Sequence, residues 1–330
     1  MANEIAEALS RLAPRLAGEG AQVVDFQRLS GGASMETSAF ALVGPRGREE
    51  MILRRRPGLA FDEATSRSVS LATEAGLIVA AEAAGAPVAP LVHLAVPEDG
   101  LGEAHITRRI PGETLGRKIV SDSRFEAVRP SLARQCGEVL AQIHSASFDG
   151  PLKTVDFAEE LARYEEVYRQ SGAQRPILEL AFQHLKRFAP EPVEPVLLHG
   201  DFRNGNIIFD PDKGVVAVLD WELAHRGDPA EDLSWICVNS WRFGRSDRPV
   251  GGFGDYADLL DGYAKASGRQ VPLSRVRAWQ ALGSLKWGVM CLMMYASYAT
   301  GAETSVERPM IGRRVSETEI DLVNLLEAGL

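Results

Sequence analysis

The order of patterns along this sequence predicts an α+β fold in two lobes, a small antiparallel sheet followed by a mainly helical part. Three observations carry that expectation. Short strand-like runs separated by glycine-bearing turns crowd the first third of the chain, and most of the remainder shows apolar residues at three- and four-residue steps. Within the helical part lies one exception. The runs Asn206-Ile207-Ile208-Phe209 and Val215-Val216-Ala217-Val218-Leu219, joined by Asp210-Pro211-Asp212-Lys213-Gly214, read as paired strands linked by a turn. The lobes are expected to divide at residue 108, with 1–108 as the first and 109–330 as the second.

Ile5, Leu9, Leu12 and Leu16 repeat as one face of a helix over 3–17, ended by Gly18. Strands follow at 23–29, 35–43 and 51–56, separated by Ser30-Gly31-Gly32 and Gly44-Pro45-Arg46-Gly47. In the third strand, alternation puts Ile52, Arg54 and Arg56 on one face and Leu53 and Arg55 on the other. Residues 66–84 read as a helix stopped by Gly85-Ala86-Pro87, and strands at 91–96 and 104–110 end in Pro111-Gly112, the expected hinge. Helical periodicity then covers 123–148, 156–171 and 175–188, and, beyond the paired strands, 229–238, 254–267, 273–299 and 316–328.

The polar loops at the ends of the paired strands gather Asp201, Asn206 and Asp220 in one neighbourhood. Phosphoryl transfer from a nucleotide uses such a set: an aspartate orients the attacking hydroxyl and accepts its proton, while an asparagine and a second aspartate offer hard oxygen ligands to magnesium. His199-Gly200-Asp201, Asn206 and Asp220 match the kinase order H-x-D-x-x-x-x-N followed by a metal-binding aspartate. With Trp221-Glu222, Gly227-Asp228-Pro229 and Asp232-Leu233 just beyond, the segment resembles the aminoglycoside phosphotransferase-like, or choline kinase-like, family. Its D-W-E-x-A-x-x-G-D-P wording is most similar to the branch sometimes fused to acyl-CoA dehydrogenases.

That resemblance implies a protein-kinase-like fold and an ATP- and magnesium-dependent phosphotransferase acting on an alcohol, with GTP an open alternative. Position by position it makes Asp201 the catalytic base and Asn206 and Asp220 the magnesium ligands. Arg54 falls where protein kinases carry the phosphate-pairing lysine of V-A-I-K, and Glu74 is its natural partner. Gly31, Gly32 and Ser34 occupy the place of the phosphate-covering loop, although two adjacent glycines also serve as a plain turn. The strand from Arg108 to Ile110 is placed against the adenine edge. His199 is expected to support the loop by hydrogen bonding, Glu222 to reach metal-bound water or brace the loop, and Asp228 and Asp232 to cap helix amides. His93, His105, His144 and His184 are read as core or surface residues. Arg54 and the unorthodox glycine loop also keep open a catalytically silent nucleotide-binding regulatory protein.

Only seven residues separate Asp220 from Asp228 and no A-P-E motif follows, so the segment on which protein kinases dock a peptide is missing and a small-molecule hydroxyl acceptor is expected. Trp235, Trp241, Arg242 and Tyr295 are candidates to line its pocket. Arg242, Arg245 and Arg248, interleaved with Trp241 and Phe243, together with the branch resemblance, point to a hydroxyacyl-CoA or other anionic metabolite rather than an aminoglycoside or choline.

Composition excludes other classes. A net charge of -9 argues against non-specific nucleic-acid binding. Residues 287–299, the most membrane-like stretch, fall short of the roughly twenty needed to span a bilayer. The start Met1-Ala-Asn-Glu-Ile-Ala-Glu lacks a signal-peptide pattern, and Cys136, Cys237 and Cys291 read as buried thiols, so a cytoplasmic location without a membrane partner is expected. Nothing in the sequence fixes an oligomeric state.

Overall fold

The computed structural model describes residues 2–29, 35–57 and 66–329, so the expected loop with Gly31, Gly32 and Ser34 lies outside the described residues. Helix α1 (Ala2–Ala17) is followed by β1 (Gln22–Arg28), β2 (Glu36–Gly44), β3 (Gly47–Arg55), α2 (Leu71–Ala83), β4 (Leu91–Leu94) and β5 (Ala104–Arg108). The strands form one antiparallel sheet in the order β1-β2-β3-β5-β4. Its period-two faces separate cleanly. Met51 and Leu53 are buried with Phe40, Leu42 and Ile106 against Leu9, Leu12 and Ala13 of α1, whereas Ile52 and Arg54 face the cleft between the lobes.

Strand β3 begins at Gly47 rather than 51, because its pairing with β2 runs on through Arg48 and Glu49 to the tight Gly44–Gly47 end, where backbone bonding needs no apolar face. Helix α2 begins later than its periodicity predicts. The Ser70 hydroxyl accepts from Thr73 N at 3.1 Å, and the preceding residues are held elsewhere, Val69 N donating to Glu222 O at 2.8 Å.

The second lobe is built on a larger core that also takes in Leu77, Ile78 and Ala81 of α2 and Val88, so α2 packs on the helical lobe as well as behind the sheet. After the hinge come α3 (Gly116–Ser121), α4 (Leu132–Ser145), α5 (Phe157–Gln170) and α6 (Pro176–Arg187). The helix read over 123–148 is thus only its second half; short 3-10 turns at 123–125 and 129–131 replace the first, since Pro130 lacks the N–H that a continuous helix requires. Strands β6 (Val196–Leu198) and β9 (His225–Gly227) pair, as do β7 (Ile207–Asp210) and β8 (Gly214–Val218), the hairpin legible in the sequence. Helices α7 (Pro229–Trp235), α8 (Tyr256–Ser267), α9 (Leu273–Ala299), α10 (Glu307–Gly312) and α11 (Val315–Glu327) complete the lobe.

Helices α4 and α8 cross in direct contact through two glycines. A Cβ on Gly137 would lie 2.1 Å from Leu259 O, and one on Gly262 would lie 2.2 Å from Arg134 O. Cys136, Cys237 and Cys291 are all buried free thiols. Among the described residues no helix is long and apolar enough to cross a membrane.

Candidate active site

The catalytic loop leaves β6 at His199 and turns at Gly200. Its φ of 79°, and the 2.2 Å that would separate a Cβ there from Leu223 O, admit only glycine. Asp232, fully buried on α7, pins this turn. Its carboxylate accepts from His199 N at 2.7 Å, Gly200 N at 2.9 Å and His144 Nε2 at 3.2 Å. Burial pushes the Asp232 carboxyl up, but His144 and these donors outweigh burial and hold it below the usual carboxylate range. Asp232 therefore braces the loop instead of capping its own helix, and His144 shares that task. Asp228 does cap α7, accepting from Ala230 N at 2.9 Å. His199 Nε2 reaches Leu219 O at 3.0 Å, tying the loop to the strand that delivers Asp220.

The Asp201 carboxylate is held from three sides. Oδ2 accepts from Asn206 Nδ2 at 2.7 Å, while Oδ1 accepts from Trp235 Nε1 at 2.6 Å and Arg203 Nε at 3.0 Å. Because the amide nitrogen of Asn206 is engaged by Asp201, its side-chain oxygen is the atom with lone pairs left for a cation. The Arg203 guanidinium also lies 4.5 Å over the Trp241 ring. Sequence reading missed Arg203, although its place two residues after Asp201 was a signal, and saw Trp235 only as a pocket wall.

Asp220 has a left-handed backbone, φ 66° and ψ 68°, unusual for a non-glycine and a frequent mark of functional turns. Across the cleft, Arg54 Nη2 lies 2.5 Å from Asp220 Oδ1 and 3.2 Å from Glu222 Oε2, and Nε lies 3.4 Å from Glu74 Oε2. Arg55 turns the other way and pairs with Glu36 at 2.9 Å. Three carboxylates thus surround one guanidinium. Burial, reinforced by the neighbouring Asp220, pushes the Glu222 carboxyl up to about 7 against the pull of Arg54. Glu74 goes the opposite way: burial would raise it, but His105, at 3.4 Å, and Arg54 more than offset that.

Arg54, Glu74 and Asp220 form one end of a cleft of about 330 Å³. Its sides are apolar, with Ile52 and Ala89 from the first lobe and Ile208 and Val218 from the second. Arg108 to Ile110 run along its edge. The amides of Arg108 and Arg109 are engaged by Pro90 O and Glu50 O, both at 2.9 Å, whereas among the described residues Ile110 N has no such partner. The Arg108 side chain points to Glu49 at 3.1 Å and is half exposed.

On the far side of Asp201 a smaller cleft of about 200 Å³ is walled by Trp235, Trp241, Trp287 and Met290, with Arg67 and Lys286. Arg242 does not line it, being buried with Nη2 at 2.7 Å from Cys237 O and 3.2 Å from Asp321. Tyr295 is exposed beside Gly312. Arg245 and Arg248 pair with Asp247 and Asp255 at 3.2 and 3.0 Å. The arginine run is therefore neutralised by neighbours and forms no basic wall.

The sequence profile described as phosphotransferase enzyme family matches residues 25–269, a span that holds the 330 Å³ cleft with Asp201, Asn206 and Asp220, while Lys286, Trp287 and Met290 of the smaller cleft lie beyond it. The chain belongs to that family. By that description its members are phosphotransferases. The chain is 29% identical over 203 residues to acyl-CoA dehydrogenase family member 10 of Mus musculus, a match covering 57% of this chain and 18% of that protein. This phosphotransferase thus spans less than a fifth of the relative's length. A crystal structure from Ralstonia eutropha, described provisionally as an aminoglycoside phosphotransferase, superposes with a TM-score of 0.73 at 21% identity over 98% of both chains. Spectinomycin phosphotransferase in complex with ADP and spectinomycin gives a TM-score of 0.62 at 13% identity, covering 96% of this chain and 98% of that one. The fold is the two-lobed, protein-kinase-like α+β fold.

Proposed function

We propose that this phosphotransferase moves the γ-phosphoryl group of ATP, with GTP as the alternative donor, to the hydroxyl of a small molecule, residues 1–108 carrying the nucleotide side and 109–330 the catalytic loop and acceptor side. One observation carries the reading: Asp201, bonded to Asn206, lines one cleft, while Asp220 with Arg54 and Glu74 lines a second, apolar-sided one. In this scheme Asp201 accepts the proton as the acceptor oxygen bonds to phosphorus and the bond to the bridging oxygen breaks, releasing nucleoside diphosphate. The Arg203 bond to Oδ1 is the one to yield, since Trp235 is buried and Asn206 is fixed by its own backbone bonds. Arg54 would grip the phosphates, Ile110 would meet the base edge, and Gly31, Gly32 and Ser34 would cover the phosphates.

The acidic set fits magnesium, with Asn206 and Asp220 as holders and Glu222 alongside. Three carboxylates against one guanidinium leave room for further positive charge. Among the described residues no three His, Cys, Asp or Glu side chains make a cage by themselves, and magnesium is ordinarily held by one or two carboxylates together with substrate phosphates. When bound, the ion neutralises phosphate charge. Asp220→Asn is expected to weaken magnesium-supported nucleotide binding about tenfold or more; nucleotide titrations with and without magnesium check this, and an unchanged magnesium dependence would count against it. Trp235→Phe removes one charged hydrogen bond from Asp201 and should lower turnover about tenfold with nucleotide affinity retained.

For the acceptor, a hydroxyacyl-CoA or other anionic metabolite is favoured over an aminoglycoside or choline. Its support is the likeness to acyl-CoA dehydrogenase family member 10. A metabolite panel read by nucleotide consumption tests both levels: no magnesium-dependent turnover with any acceptor favours the silent reading, and phosphorylation of kanamycin-type compounds or choline alone overturns the acceptor choice.

A further inference from the structure

The wall of the acceptor cleft carries a charge cluster that phosphoryl transfer itself does not use. Glu160 on α5 is only 2% exposed, yet three cations converge on it: Arg67 Nη1 at 2.9 Å, Lys286 Nζ at 3.0 Å and Arg163 Nε at 3.2 Å. The next carboxylate, Glu231, stands 3.9 Å from Lys286 and is engaged by His225 Nε2 at 3.1 Å. A single well-placed cation would satisfy one buried carboxylate. Three cations against two carboxylates leave positive charge in excess.

That excess faces the cleft. Lys286 Nζ lies 5.2 Å over the ring of Trp235, the residue that donates to Asp201, and 5.6 Å over Tyr164. Arg67 has one nitrogen on Glu160, keeps further N–H donors, and is 35% exposed. It borders both the 200 Å³ cleft beside Asp201 and an adjoining cleft of about 380 Å³ that also contains Arg163. The carboxylates nearby do not compensate it. Asp201 is held by three donors, Asp220 and Glu222 face Arg54, and Glu159, which also lines the larger cleft, is exposed and accepts from Asp156 N at 3.3 Å.

We infer that Arg67 and Lys286 form an oxyanion subsite in the acceptor cleft, which takes a carboxylate or phosphate borne by the same molecule as the hydroxyl that Asp201 faces. The inference rests on the phosphotransferase reading and narrows its substrate class to a hydroxylated molecule with an apolar body, packed on Trp235, Trp287 and Met290, and an anionic group. Guanidinium grips such oxyanions with parallel bonds. An ammonium or polyamine acceptor would meet like charge there.

Four probes with one carbon chain test it on the whole protein: ω-hydroxyhexanoate, hydroxyhexyl phosphate, hexanediol and the matching ω-amino alcohol. Calorimetry with the protein in magnesium and a non-hydrolysable ATP analogue reads binding without turnover. At least one anionic probe should bind about tenfold or more tightly than the diol, and the amino alcohol more weakly than the diol. Which anion binds better separates carboxylate from phosphate recognition. Arg67→Gln should collapse the preference for anion over diol, Arg67→Lys should restore most of it, and Lys286→Met should act in the same direction as Arg67→Gln. An equal loss for diol and anion, tighter binding of the amino alcohol, or no binding of either anion would overturn the subsite. Failure of the broader reading looks different: anions would bind in an Arg67-dependent way while no probe is phosphorylated by the wild type.

Discussion

Asp201→Ala is expected to leave nucleotide binding nearly intact while turnover falls by about 10²- to 10⁴-fold, the range for loss of a general base. The geometry gives the reason for the split. Asp201 lines the cleft proposed for the acceptor, bonded to Asn206, Trp235 and Arg203, whereas the cleft proposed for the nucleotide is bounded by Arg54, Glu74 and Asp220. Its side chain is 14% exposed, so water can reach the donors left behind and the fold should tolerate the change. Single-turnover rates alongside calorimetric nucleotide titration check both halves. Near-normal turnover would remove Asp201 from the mechanism.

Arg54→Ala is expected to act on stability and on nucleotide affinity together. Glu74 is 2% exposed, and without Arg54 it is left beside the His105 imidazole at 3.4 Å, while Asp220 and Glu222 lose the charge that separates them from Glu74. Stranding a buried carboxylate costs about 3 kcal/mol or more. The nucleotide KM should rise strongly as well if Arg54 grips the phosphates as proposed, because that cation is gone. Arg55→Ala is the control: its partner Glu36 lies on the other side of the sheet and keeps Arg28 at 3.2 Å, so the loss should be smaller than at Arg54, with little effect on KM. Urea unfolding and KM measured for both variants, with Arg54→Lys added should the alanine variant not fold, give the ranking. The reverse order would place the nucleotide on the other face.

Local patterns make much of this protein legible from its residues alone. The faces of β3 follow from a side-chain period of two, which backbone geometry imposes wherever the strand sits, so Arg54 and Arg55 could be told apart from sequence alone. The hairpin carrying Asn206 and Asp220 was equally plain, its turn residues lying between two apolar runs. The helix start at Ser70 and the break at Pro130 were written in single residues, which apolar periodicity running through them obscures.

What the sequence could not decide is which distant groups meet. Asp232 reads as a helix-start acid by position, yet packing brings it to the amides of His199 and Gly200, 33 and 32 residues away, and to His144, 88 away. Trp235 is an aromatic on a helix until its indole N–H is found 2.6 Å from Asp201. Arg242 is one of three similar arginines until the fold buries it against Asp321. Arg67 and Glu160 carry no motif at all and meet across 93 residues. Chain geometry within a few residues is set by local sterics, and sequence therefore determined the strand faces, the hairpin and the spacing of Asp201, Asn206 and Asp220. The partner of a charged or polar side chain is set by which elements pack together, because burial makes an unpaired group costly and any nearby donor or acceptor can meet the need, and only the tertiary structure supplies that proximity.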